Sequence, residues 1–569
     1  MSSSFPVIIM TKAGYLLSAL ITSLFFHRVV ILNEGSYLRS TGTSFTGYQQ
    51  QQHDEEIKMN ESANKDTPPL NMEGQTSSNT DASSNSTIIS YTSEANADMI
   101  TDLPGLTFTP SFNQFSGYLS VSSTRKIHYW YIESMNKPSS DPVVFWTNGG
   151  PGCSGLLGLG TEMGPFIFED GKLSPNPFTW NTIANILYVE QPAGVGFSVF
   201  TDPSDKEVGD ERAALDNYQL IKEFFDRFPE RKHNEFYIAS ESFGGHYIPH
   251  LAKTILDHQN EENSINFRGF LVGNPYVDPF SNDVTMFQTY YMHGLIALPL
   301  FMKWEEYCTD PNNYDVKKCD GLAEDMMEGA GSQINPYALD YPACLEPDNN
   351  DYPPQKEGTY KGSGAMVVNS QSTGISMTNR IMTSSQASRL VNVTSIRPPP
   401  FLPREDVYHP CAEAHLFTYL NRDDVKEALH VANGKNWSMC SNDIEYSEED
   451  SNRPQMDLYV DLISRGRVNG SNLKMMVFSG DDDSICSTAS TQYWIWSIGA
   501  DPIHHEVWKP WKYENQTAGY LTQFDLGDTD SSFIFVTVHG AGHEVPAYRP
   551  AEALAMFTSF FSGEWDTQE

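Results

Sequence analysis

Phe236-Tyr-Ile-Ala-Ser-Glu-Ser-Phe-Gly-Gly-His-Tyr-Ile-Pro249 passes from a short apolar run of strand type, through small residues, into a helical pattern. A serine at such a junction can be held on a sharp turn with its hydroxyl in a cleft, which makes Ser242 a candidate nucleophile. A serine hydroxyl attacks well only when a base takes its proton and a third group orients that base. Two later stretches supply those types in the order Ser, Asp, His: Asp483 in Ser479-Gly-Asp-Asp-Asp-Ser-Ile-Cys486, and His543 in His539-Gly-Ala-Gly-His-Glu-Val-Pro546. Each follows an apolar strand-like run, 474–478 or 533–538, so both belong at strand ends beside Ser242. His539 is a competing base, closer to its strand. Asp481, Asp482 and Asp483 could also form a solvated turn or a cation site, but no oxygen-ligand pattern accompanies them, and neither a metal nor a cofactor is expected. His246 and His250 are expected to pack or cap on the helix after Ser242.

The elements that must position these residues are legible as periodicity. Runs at 143–146, 186–189, 236–239 and 267–272 are short and almost continuously apolar, the pattern of strands buried on both faces. Helical patterns at 210–228 and 246–258 lie between them, and 550–561 closes the chain with Pro550 in its first turn and Gly563 beyond it. Segments 115–121 and 126–132 read as a hairpin. Alternating strands and helices predict an α/β class protein of α/β-hydrolase layout, with a mostly parallel central sheet and flanking helices. The catalytic domain is expected over 103–281 and 407–566. The interruption, 282–406, is aromatic, Met-rich and helical in its first half; its second half, 348–403, lacks periodicity and ends in a proline cluster. We read it as an inserted, largely helical cap subdomain with a mobile loop open to proteolysis.

Composition bounds the function. Asp and Glu total 73 against 36 Lys and Arg in 569 residues, a net charge of −37, which repels nucleic acid. The apolar run at 13–26, preceded by Lys12, makes 1–35 a signal peptide or a signal-anchor, and only the anchor would attach the chain to a membrane. Residues 36–102 are rich in Ser, Thr, Asn, Gln and Glu without periodicity, and are expected to be a disordered linker or propeptide. A secretory route permits disulfides and makes Asn60, Asn85, Asn392, Asn436, Asn469 and Asn515 candidate glycosylation sites. Seven cysteines leave one over, and six allow fifteen connectivities.

Six motifs together carry a resemblance: Trp146-Thr-Asn-Gly-Gly-Pro-Gly-Cys-Ser154, Glu162-Met-Gly-Pro165, Glu190-Gln-Pro-Ala-Gly-Val-Gly-Phe-Ser198, Glu241-Ser-Phe-Gly-Gly-His-Tyr247, Gly480 to Asp483, and Gly542-His-Glu-Val-Pro546. Over about 103–565 the chain resembles the serine carboxypeptidases of the carboxypeptidase Y, cereal and cathepsin A type. That resemblance implies Ser242, Asp483 and His543 as the triad, the amides of Gly150 and Phe243 as the oxyanion hole, and Asn148, Glu162 and Glu241, with Trp146 alongside, as the binding site for the substrate's terminal carboxylate. Two close, partly buried carboxyls resist full ionisation, so such a site would work best in acid. The resemblance further implies bridges Cys153–Cys440, Cys308–Cys319 and Cys344–Cys411, with Cys486 free at the substrate cleft, and tolerance of Lys or Arg near the scissile bond through Glu544. Ser240 departs from the glycine that usually begins this elbow. Expected partners are peptide and protein C-termini, with room for a homodimer, in a vacuolar, lysosomal or extracellular setting. Two other readings stay open: an acyltransferase using the same acyl-enzyme, and a protective subunit for another enzyme.

Overall fold

The computed structural model describes residues 90–259, 265–310, 314–331, 333–344, 408–432, 434–468, 470–527 and 529–567. The expectations for 1–35, for most of 36–102, for the 348–403 loop and for Asn60, Asn85, Asn392 and Asn469 lie outside them. No helix among the described residues is long and apolar enough to cross a membrane.

The main sheet is built from β1 (Gln114–Ser120), β2 (Arg125–Ile132), β3 (Val143–Thr147), β4 (Asn185–Val189), β5 (Phe236–Glu241), β6 (Phe267–Gly273), β7 (Lys474–Gly480), β8 (Lys509–Tyr513), β9 (Gln516–Phe524) and β10 (Ser532–Val538). Their spatial order is β1-β2-β4-β3-β5-β6-β7-β10-β9-β8, with the short strand Val199–Phe200 pairing onto β2. The six strands from β4 to β10 in that order are parallel, and antiparallel hairpins flank them on both sides. The parallel strands read as unbroken apolar runs because both faces are covered. In β5, Phe236 and Ile238 enter a core shared with the helices Asp210–Arg227, Gly244–Asp257 and Met456–Gly466. Their neighbours Tyr237 and Ala239 point the other way, into a core shared with Ala412–Leu420 and Pro550–Ser562.

After β6, among the described residues, come the helices Pro279–Met292, Leu298–Cys308 and Val316–Ala330. They bury a small core of their own around Phe287, Tyr290, Trp304 and Met326. Three disulfides are present, Cys153–Cys440, Cys308–Cys319 and Cys344–Cys411, and Cys486 is free and buried.

One boundary needs correction, because ordered structure begins before residue 103. Thr92 caps the short helix Ser93–Ala97, and Ala95 and Ile100 are buried against the hairpin. Asp98 accepts from the Tyr129 hydroxyl at 2.6 Å and pairs with Arg227, while its backbone carbonyl accepts from Ser116 N–H at 2.8 Å. Polar side chains, rather than an apolar stripe, hold this segment, which is why periodicity did not reveal it.

Candidate active site

Ser242 stands between β5 and the helix Gly244–Asp257 with φ 60°, a left-handed conformation that side-chain-bearing residues avoid. The surroundings fix it: Ser242 N–H donates to Gly273 O at 2.9 Å, and its carbonyl accepts from Tyr276 N–H at 2.8 Å. Such strain persists only where neighbours over-determine it. The loop after β3 presses on this turn, since a Cβ at Gly149 would lie 2.5 Å from Phe243 N and 2.7 Å from Glu241 O. Gly150, at φ 114°, follows in the same loop. The two expected oxyanion donors therefore sit on segments in direct contact.

Asp483, at the end of β7, accepts from the His543 ring Nδ1 at 2.7 Å, and both side chains are buried. The carboxylate is held by three further donors: Ile485 N–H at 2.8 Å, Cys486 N–H at 3.1 Å and the Asn274 side-chain amide at 2.9 Å. A carboxylate fixed in this way orients the imidazole. Asn274 escaped the sequence reading; its place directly after β6, another strand end facing the same crevice, was the available signal. His539 takes a different partner, Asp481 at 2.7 Å, with most of its side chain in solvent. His246 and His250 pair with the buried Asp210, consistent with packing.

Next to Ser242 in the chain lies Glu241, and Asn148 donates to Glu162 Oε1 at 2.9 Å and to Glu241 Oε1 at 2.6 Å. Its own carbonyl is fixed by Trp146 Nε1 and Gly158 N–H, each at 3.0 Å, so the amide cannot flip. Asn148 holds the two carboxyls side by side, and burial pushes the Glu162 carboxyl up to about 7. Glu241 is raised well above its ordinary value, first by burial and then by the Glu162 charge. Glu162 Oε2 is buried with no hydrogen-bond partner. Like charges this close share protons rather than ionise together.

Glu162 also borders a cleft of about 380 Å³ whose lining includes Tyr337, Tyr408, Glu413 and Glu544. Burial, together with the charges of Glu162 and Glu413, raises Glu544 well above the usual carboxylate range. Cys486 is free and fully buried, and burial pushes its thiol up. Glu413 and Tyr337 were not singled out by sequence reasoning, because neither lies in a recognisable motif.

The left-handed Ser242, the carboxylate-held His543 and the glutamate pair bridged by Asn148 set the chain beside known proteins. The profile of the family described as serine carboxypeptidase matches residues 104–563. The chain belongs to the serine carboxypeptidase family. Serine carboxypeptidase-like 29 of Arabidopsis thaliana is 34% identical over 483 residues, covering 83% of this chain and 89% of that protein. Serine carboxypeptidase-like 26 of the same plant is 35% identical over 485 residues, covering 83% and 94%. Among solved structures, the prohormone-processing carboxypeptidase Kex1(delta)p of Saccharomyces cerevisiae superposes with TM-score 0.59 at 19% identity, over 82% of this chain and 96% of that one, a likeness of fold. This serine carboxypeptidase is a hydrolase of the exopeptidase type, acting on peptide and protein C-termini.

Proposed function

We propose that Ser242 attacks the scissile carbonyl, that His543 serves as base and then as acid to the leaving amine, and that Asp483 orients the imidazole. The amides of Gly150 and Phe243 receive the oxyanion. Water then releases the shortened peptide from the acyl-enzyme.

The observation that carries this reading is the unpartnered Glu162 Oε2 in a recess where Asn148 bridges two glutamates. In acid a carboxyl here keeps its proton and donates it to the substrate's terminal carboxylate, while Asn148 and the Trp146 side supply the remaining contacts. An enzyme cutting internal bonds has no such anion to place. The cleft beyond, with Glu544 on its wall, then takes the departing side chain and tolerates Lys or Arg.

The segment 282–406 acts as the cap over this cleft, and the 348–403 stretch within it as an excisable loop. Three disulfides and the exposed sequons Asn436 and Asn515 support passage through the secretory pathway to a vacuolar, lysosomal or extracellular destination. The test is a peptide panel at pH 5 beside Ser242→Ala, with free amino acids followed by mass spectrometry. Stepwise loss from the C-terminus that disappears in the variant is expected; cleavage confined to internal bonds, or transfer of the acyl group to alcohols without release of amino acids, would overturn it.

A further inference from the structure

Asp482 stands next to the candidate triad acid, and only 3% of its surface is exposed. Its four polar functions reach three separate segments of the chain. The N–H donates to Ala541 O at 2.9 Å, tying the Asp483 loop to the His543 loop. The backbone carbonyl accepts from Leu339 N–H at 3.1 Å, and Oδ2 accepts from Asp340 N–H at 3.0 Å. Oδ1 lies 3.2 Å from His293 Nε2, just after the first inserted helix.

Residues 335–341 are thereby pulled across both catalytic loops. Pro336 O accepts the Ser484 N–H at 3.2 Å and the Ser484 hydroxyl as well. Tyr337 O accepts the His543 N–H at 2.7 Å, and its ring meets the His543 ring edge-on with centroids 5.2 Å apart. Tyr341 donates its hydroxyl to Gly540 O at 2.9 Å. The approach is tight enough that a Cβ at Gly542 would fall 2.4 Å from Tyr337 O. We propose that Asp482 is a positioning residue: it clamps the 335–341 strap over the Asp483 and His543 loops, and a protonated His293 completes the clamp.

The ring state follows from geometry. His293 Nδ1 faces Thr289 O at 2.9 Å, and only an N–H satisfies a carbonyl there. Nε2 can therefore meet the Asp482 carboxylate favourably only by carrying a second proton. Asp482 is the first cause that raises His293 to about 9, and Asp340, also facing the ring, adds to it. Burial pushes Asp482 upward, and His293 pulls it back down. The charged pair thus persists through neutrality and is lost as pH rises through about 9.

The clamp rests on the triad reading, and Ser242→Ala tests that reading separately by abolishing turnover. The clamp is tested in the full-length protein with Asp482→Ala, Asp482→Asn and His293→Gln, on an ester substrate lacking a free carboxylate. The readouts are kcat, KM, melting temperature and the downfield proton resonance of His543 Nδ1–H. A small misplacement of a catalytic group costs up to about 10²-fold, so Asp482→Ala is expected to lower kcat about 10- to 100-fold with KM within about twofold, and to weaken the downfield signal. Asp482→Asn, which still accepts the Asp340 N–H but cannot form the charged pair, holds kcat at the level the parent shows above pH 9 and removes the step. In the parent protein kcat falls as pH rises through about 9, and His293→Gln removes that step. A lowered melting temperature with kcat and resonance unchanged would reduce Asp482 to a structural residue and sink the proposal. Should Asp482→Ala fail to fold, an unaltered pH step near 9 in His293→Gln overturns it equally.

Discussion

Ser240 and Gly244 share one space: a Cβ at Gly244 would lie 2.3 Å from Ser240 Oγ. Ser240 occupies β5 between Thr147 of β3 and Val272 of β6, buried, at the position where the family's elbow usually begins with glycine. The hydroxymethyl group is accommodated because Gly244, the first residue of the helix Gly244–Asp257, has no side chain.

Gly244→Ala should therefore be far more damaging than its size suggests. Overpacking costs about 1–3 kcal/mol, and relief by displacing the turn would move Ser242. We expect a lower denaturation midpoint and a kcat loss of about 10²-fold for Gly244→Ala, and near-parental kcat for Ser240→Gly. The double variant Ser240→Gly with Gly244→Ala should regain activity; a double variant as poor as the single would disprove the shared-space account.

The glutamate pair makes a pH prediction with a definite sign. Glu162, raised to about 7, is a donor below that value and a repelling charge above it. Peptidase kcat/KM should fall as pH rises through about 7, while hydrolysis of an ester without a free carboxylate continues. Because the folded-state value lies above the unfolded one, the same group stabilises the fold fully only below the unfolded value near 4.5, and that contribution is lost as pH climbs through about 7. Glu162→Gln retains a donor without the titration, so its peptide and ester profiles should converge. Identical profiles in the parent enzyme would remove the glutamates from substrate binding.

The segment before residue 103 should contribute to stability without touching chemistry. Asp98 ties it to Tyr129 and Arg227. Gly117 leaves the space this requires, since a Cβ there would meet Asp98 Oδ1 at 2.6 Å. Hydrogen bonds to charged groups contribute about 1.5–3 kcal/mol each, so Asp98→Ala should lower unfolding free energy by about 2 kcal/mol in a urea titration. KM and kcat of the folded enzyme should stay as they were.

What the sequence disclosed and what it concealed divide along a physical line. The six parallel strands were legible because burial on both faces writes a continuous apolar run, and Ser242, Asp483 and His543 were legible because each follows such a run. The 90–102 segment was hidden because it is held by specific polar contacts that have no period. Asn274 and Tyr337 were hidden because their partners lie far along the chain; the Asn274 to Asp483 bond spans 209 positions. His293 and Asp482 illustrate the same limit, since three adjacent aspartates gave no hint that one of them faces an imidazole from the inserted helices.

The cleft beyond Glu162 should decide which C-terminal residue is preferred. Glu544 and Glu413 both line the cleft beyond Glu162, and burial keeps Glu544 largely protonated in acid. A lysine or arginine entering there supplies the positive charge that lets the carboxyl release its proton, so binding a basic residue should expel a proton and strengthen as pH rises. Recognition of the terminal carboxylate weakens over the same range, as Glu162 ionises. Substrates ending in Lys or Arg should consequently show an optimum displaced to higher pH than those ending in Leu. Glu544→Gln should lower kcat/KM for a C-terminal Lys about tenfold, or about 1.4 kcal/mol, with less than about threefold change for Leu, and should bring the two optima together. Equal losses for both substrates would mean that Glu544 shapes the cleft without reading charge.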